Sequence, residues 1–300
     1  SSELLSRSQP IGDINGDGAD DFMLVSAEYA YILLGPVALS GIENVAEAAA
    51  FSIDLADLGR PASRMGDADG DGFSDLMFAR SSGPTTIITV IKGRGNGLQW
   101  PLLLDSDTLG TLPANNLYTI TINSPAFGNA EASLHALNWD GDAKADILVV
   151  SNQPDAGTGT VGYLFSGADL VAAHQNGQPL TQSNAAKRFT LPSDASGRMA
   201  LALELLTQSG VSYTPQAADL GWAPNITALV PGDVDGAGQD DILFSDSGFL
   251  HFQGTLGGIP DAGRVYLVTG EGVNEQELDL NLNRDSQTIW QDFSLGGGLS

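Results

Sequence analysis

The chain contains no cysteine. Disulfides, thiolate metal sites and cysteine nucleophiles are therefore excluded, and the redox compartment is left open. Positive charge is scarce: 12 Lys and Arg stand against 37 Asp and Glu, for a net charge of -25. Binding through phosphates needs clustered basic residues, so nucleic acid is excluded and cations are the natural partners. Long apolar runs are missing, and no stretch reaches the 18 or more residues of a membrane-spanning helix. Histidine is limited to His135, His174 and His251, all outside the acidic turns described below. A phosphate-cradling Gly-Lys-Ser/Thr, a dinucleotide fingerprint and a His-Glu-x-x-His are all absent. "SDSG" from Ser245 lacks the flanking glycines of a serine-hydrolase turn, and no His or Asp can be nominated with it.

What is present describes a folded protein. The 300 residues are 42% hydrophobic and include 37 glycines, which suits one large domain or two small ones rather than an acidic disordered tail. The chain opens Ser-Ser-Glu, so the expectation is a processed product or a piece of something longer.

The acidic residues are concentrated in a turn that recurs four times: "DINGDGADD" from Asp13, "DADGDGFSD" from Asp67, "NWDGDAKAD" from Asn138 and "DVDGAGQDD" from Asp233. Each copy spans nine positions, with an acid or amide at 1 and 3, Gly at 4 and Asp at 9. Position 5 is Asp except at Ala237, and position 6 is Gly except at Ala143. Oxygen ligands on alternate residues of a tight turn point into one hollow, and glycine permits the positive φ such a turn takes. Calcium takes six to eight oxygens, which carboxylates, a carbonyl and water can supply.

The side-chain ligands expected in the first loop are Asp13, Asn15, Asp17 and Asp21, with the carbonyl of Ala19. The second offers Asp67, Asp69, Asp71 and Asp75 with the Phe73 carbonyl, and the third Asn138, Asp140, Asp142 and Asp146 with that of Lys144. The fourth offers Asp233, Asp235 and Asp241 with the Gln239 carbonyl, and Ala237 removes one ligand there. Ca2+ is expected at three sites, with the fourth weakest. Magnesium prefers a smaller octahedron and keeps several waters, and zinc calls for His or Cys. A metal-free Asp-Gly hairpin turn is the plain alternative, though one such turn does not call for acids at alternating positions. An EF-hand is excluded by Leu24, Phe78, Val149 and Phe244 at position 12, where it needs Glu.

Each loop runs into a short apolar segment: "FMLV", "LMFA", "ILVV" or "ILFS". A second apolar segment then ends in Gly: "YAYILLG", "TIITVIKG", "VGYLFSG" or "RVYLVTG". These read as strands, and segments such as "FSIDL" and "YTITI" add a further one. The unit is a set of short antiparallel strands with the acidic loop at a hairpin tip. The loops start at unequal intervals, which suits sheets with variable outer connections better than a strict solenoid. Residues from about 175 to 228 break the pattern and are expected as a loop and helix insertion carrying Tyr213 and Trp222 as a candidate contact patch.

The loop, followed by strands such as "GTVGYLFSGADL" from Gly159, resembles the FG-GAP repeats of integrin-α-type β-propellers, which also occur in large bacterial surface proteins. The resemblance covers nearly the whole of residues 1–300 as one domain. It implies an all-β propeller of four-stranded antiparallel blades, with one calcium in the hairpin of each metal-bearing blade. Family propellers usually close with seven blades, whereas four units are recognisable here. "TIWQDFSLGGGLS" from Thr288 resembles the run-up to a further loop.

The expected function is non-catalytic: a calcium-stabilised module, extracellular or on a cell surface, that binds a protein or glycan through loops opposite the calcium tips. The alternatives are a structural repeat that assembles with copies of itself and, further off, a polysaccharide-processing enzyme. Paired carboxylates can serve a glycosidase, but every dense acidic pair here falls inside a repeat.

Overall fold

The computed structural model describes residues 4–36, 44–94, 100–128, 132–191, 220–221, 225–252, 262–270 and 277–280. Strand is the prevailing regular structure, and the described residues divide into four units, each built around one acidic loop. The first unit contains β1 (Arg7–Gly12), β2 (Asp21–Val25), β3 (Tyr29–Leu33) and β4 (Phe51–Asp54). The second contains β5 (Arg60–Pro61), β6 (Leu76–Ser82), β7 (Thr85–Ile91), β8 (Leu103–Leu104) and β9 (Leu117–Asn123). The third contains β10 (Ser133–Leu137), β11 (Asp146–Val150), β12 (Thr160–Phe165), β13 (Leu180–Thr181) and β14 (Lys187–Thr190). The fourth contains β15 (Leu220–Gly221), β16 (Ile226–Gly232), β17 (Asp241–Phe252), β18 (Ala262–Val268) and β19 (Glu277–Asp279).

Within each of the first three units the long strands form an antiparallel meander, and the acidic loop joins its first two strands. The register at the loop is the same in every copy. The residue before position 1 lies opposite the Asp at position 9: Gly12 with Asp21, Gly66 with Asp75, Leu137 with Asp146 and Gly232 with Asp241.

The expected four-stranded sheets carry a fifth, parallel strand in three of the four cases. β8 pairs with β4, β13 with β9 and β19 with β14. In every instance the added strand belongs to the next unit, on the path that leaves its third strand. A short parallel pairing of this kind covers an edge that would otherwise present bare N–H and C=O groups. The first strands of successive units also touch. Gln9 Nε2 donates to the Ala62 carbonyl at 2.9 Å, and Ser63 N and Ala136 N exchange bonds with Leu134 and Arg64 across units 2 and 3.

The burial pattern follows from this stacking. In β11 every residue is buried, with Ile147 and Val149 in the core shared by units 1 to 3 and Leu148 and Val150 in the core shared with unit 4. A strand covered on both faces reads as a continuous apolar run, hence "ILVV". In β2 only one face is covered: Met23 and Val25 are buried while Phe22 is 45% exposed. In unit 4, Leu229 is likewise 57% exposed. No closed barrel or propeller forms among the described residues.

Part of the stretch from about 175 to 228 expected as an insertion is sheet. Residues 180–181 and 187–190 are β13 and β14, and β14 completes the meander of unit 3. Residues 192–219 and 222–224, with Tyr213 and Trp222, lie outside the described residues, as does the segment from Thr288. Ser245 of the "SDSG" stretch sits inside β17 and shares a hydrogen bond with Thr227 Oγ1 at 2.7 Å, so it forms no nucleophile turn. No helix among the described residues is long and apolar enough to cross a membrane.

Candidate metal centres

The four loops fold by the same hydrogen-bond scheme. The carboxylate at position 1 collects N–H groups from the turn that follows it. Asp67 accepts from Gly70 at 2.7 Å, Asp71 at 3.1 Å and Gly72 at 2.8 Å. Asp13 does the same with Gly16, Asp17 and Gly18, and Asp233 with Gly236, Ala237 and Gly238. Burial is the largest single influence on Asp13 and opposes its charge, but the N–H groups of Gly18, Gly16, Asp17 and Asn15 together outweigh it and hold the carboxyl below its ordinary range. At Asp233 the N–H of Gly238 leads the same effect. The side chain at position 3 accepts from the N–H at position 5, as Asn15 does from Asp17 and Asp235 from Ala237. Where position 5 is Asp, it accepts from position 7. The glycines at positions 4 and 6 have φ between 74° and 96°, which side-chain-bearing residues avoid.

The third loop departs at two coupled places. Asn138 has one side-chain oxygen, and it accepts from Gly141 at 2.9 Å. No second oxygen remains for the N–H at position 6, and that residue is Ala143, which does not take positive φ. The Asp-to-Asn change at position 1 and the Gly-to-Ala change at position 6 are thus one structural alteration.

The aspartates at position 9 have a role that their spacing did not reveal. All four are 0–1% exposed. One oxygen accepts the N–H at position 2: Ile14, Ala68, Trp139 and Val234, at 2.7–2.8 Å. The other accepts the N–H of the glycine that closes the third strand: Gly35, Gly93, Gly167 and Gly270, at 2.7–3.1 Å. A Cβ on Gly93 would lie 2.4 Å from the Ser74 carbonyl oxygen, so only glycine brings its N–H this close. The carboxylate therefore clasps loop to sheet whether or not it also binds metal.

Burial pushes Asp75 up to about 8, with the Asp69 charge adding to it, and Asp146 to about 7, with Asp140 adding. Asp21 is raised for the same leading reason. In the unfolded chain these groups titrate near 4. Their contribution thus favours folding fully below about pH 4 and is lost as the pH rises through the folded values, unless a cation offsets the charge.

Neighbouring loops are bonded to each other in series. The N–H at position 8 donates to the position-1 carbonyl of the preceding loop: Ser74 to Asp13 at 2.9 Å, Ala145 to Asp67 at 2.6 Å and Asp240 to Asn138 at 2.7 Å. The position-7 side chains Phe73, Lys144 and Gln239 lie over Gly16, Gly70 and Gly141 of the preceding loop.

Two groups of three carboxylates converge to within 4.8 Å among the described residues: Asp67, Asp69 and Asp71, and Asp233, Asp235 and Asp241. Each group sets three hard oxygen donors close enough to share one cation. The fourth loop, expected to be the weakest, is thus one of the two that gather their acids. Ala237 removes a ligand but also one mutually repelling charge. The acids of the first loop (Asp13, Asp17 and Asp21) and of the third (Asp140, Asp142 and Asp146) form no such group. In the first loop the Asn15 amide donates to Asp17 Oδ2 at 3.1 Å. No protein-family model matches the chain, and no curated protein matches it.

Replacing Asp75 by Ala leaves two buried N–H groups unsatisfied, at about 1–3 kcal/mol each. The expected loss is about 2–6 kcal/mol in urea unfolding with chelator present, against less than about 1 kcal/mol for Asp235→Ala, whose bond is exposed. Equal losses would remove the clasp role. In a double-mutant cycle, Asn138→Asp with Ala143→Gly is expected to exceed the sum of the single changes by about 0.5–2 kcal/mol, because each restores half of one bond pair. Strict additivity would break the coupling.

Proposed function

We propose that the chain is a calcium-stabilised β-propeller-type module of the FG-GAP kind, extracellular or on a cell surface, which binds a protein or glycan and does no chemistry. The observation that carries this reading is the fourfold recurrence of one loop in one register, with the acids converging in two of the four copies. Serial contact of the first strands, with each sheet packed on the next, supports a propeller arrangement of the units.

The donor set favours calcium. All candidate ligands are hard oxygens, and no His or Cys joins either cluster. Carboxylates about 4 Å apart repel by about 1–4 kcal/mol per pair between bulk-water and surface dielectric. A bound divalent cation turns that repulsion into attraction and draws loop and clasp together. At free calcium about 1–10 times a dissociation constant of about 10⁻⁴–10⁻³ M, each site adds roughly 0.4–1.4 kcal/mol. Such concentrations are extracellular, where a crowded acidic loop is stabilising rather than a liability.

The partner surface lies at the opposite end of the strands. A cleft of about 1030 Å³ opens where β2 turns into β3 and where β1, β5 and β10 begin. Arg7 and Arg60 line it together with Glu28, Asp54, Tyr29 and the hydroxyls of Ser26 and Ser63. Burial, and then the charge of Arg60, lowers Arg7 from its ordinary value. Two close guanidiniums with two carboxylates beside them, in a chain of net charge -25, suit a ligand that offers both carboxylates and hydroxyls, such as an acidic glycan.

Thermal melting across a calcium titration is expected to rise by several degrees, weakly with magnesium, and less in Asp235→Asn. A melt indifferent to calcium would reduce the loops to hairpin turns. Arg7→Glu with Arg60→Glu is expected to abolish retention on an immobilised polyuronate without lowering the melting temperature. Undiminished retention would move the binding surface elsewhere.

A further inference from the structure

The two converging acidic clusters differ in what lies against them. In the second loop the Lys92 ammonium contacts Asp69 Oδ2 and lies 3.1 Å from Asp71 Oδ2. The Tyr118 hydroxyl donates to the same Asp69 oxygen at 2.8 Å. The Asp69 side chain is 4% exposed and that of Lys92 21%, so the ammonium is drawn well into the loop. Lys144 from the third loop covers Gly70 on the other side. Burial works against the charge of Lys92, yet Asp69 and then Asp71 hold its pKa above the ordinary value.

Lys92 occupies the residue before the clasp glycine. The corresponding residues in the other units are Leu34, Ser166 and Thr269, none of which can supply a positive charge. In the fourth loop Asp233, Asp235 and Asp241 converge with no ammonium or guanidinium within ion-pair distance among the described residues.

We propose that Lys92 is the built-in cation of the second loop, so that this loop is closed without metal and calcium is excluded from it. The proposal rests on the calcium reading for the remaining loops. A tethered ammonium has an effective concentration fixed by the fold and is independent of the medium. A metal ion entering the loop must displace it and leave a half-buried lysine without its partners, which is costly. The position of this loop gives the arrangement a purpose. It is bonded on one side to the first loop through Ser74 and on the other to the third through Ala145. A central loop locked by the chain's own charge keeps units 1 to 3 joined when calcium falls, while the fourth loop, with no internal cation, responds to it.

The test uses the full chain and calcium chloride in isothermal titration calorimetry, paired with melting in chelator. Asp69→Asn is expected to bind as many calcium ions as wild type; one ion fewer would overturn the proposal. Lys92→Met is expected to bind one ion more than wild type and to melt about 2–8 °C lower in chelator, whereas Lys92→Arg behaves as wild type. An unchanged ion count in a chain that does bind calcium, or an unchanged melt in chelator, would overturn it. Should Lys92→Met fail to fold, the Asp69→Asn comparison still decides. Should no variant bind calcium, the calcium reading of the other loops fails. The chelator melt then judges Lys92 alone: a fall supports the internal cation and no fall overturns it.

Discussion

Two backbone N–H groups, one from the loop and one from the end of the third strand, meet on a single buried carboxylate in every unit. The rest of the architecture hangs on that clasp. It fixes the second residue of the turn, which sets the direction in which the following carboxylates point. It also ties the hairpin to the third strand, and so makes loop and sheet one body. A buried carboxylate is unfavourable when charged, and these N–H groups together with any cation nearby are what favour the charged form against that cost. Fold stability and cation affinity are thereby the same problem.

The loops are linked as well as repeated. The position-8 N–H of one loop reaches the position-1 carbonyl of the loop before it, and that same position-1 residue supplies the side chain that organises its own turn. A change of charge in one loop is therefore applied to a residue its neighbour touches directly. The units have solved the shared problem of charge differently. The second uses a lysine, the third an amide in place of one carboxylate, and the fourth drops the acid at position 5. Each substitution lowers the mutual repulsion of the loop. They are expected in an array whose loops stand close together and would otherwise add their negative charges.

Much of this was legible in the sequence. The nine-residue repeat located all four hairpins, and the apolar segments after it marked the second and third strands, because alternating ligands and short β-branched runs are local signals. The segments "ILVV" and "FMLV" are both wholly apolar, so the sequence did not distinguish the strand covered on both faces from the one covered on a single face. The strands β8, β13 and β19 were invisible, since two or three residues paired to a distant edge leave no period of their own. β14 was hidden in a stretch whose composition reads as irregular.

The sequence by itself determined which residues could bind a cation and how each loop turns, because ligand type, spacing and glycine placement are properties of nine consecutive residues. Only the tertiary structure decided which loops gather their acids, which one carries its own lysine, and that the position-9 aspartates are clasps. Lys92 is 23 residues from Asp69 and Tyr118 is 49 residues away, while Gly93 is 18 residues from Asp75. These contacts exist because the sheet returns the chain to its own loop, and no local pattern encodes that return.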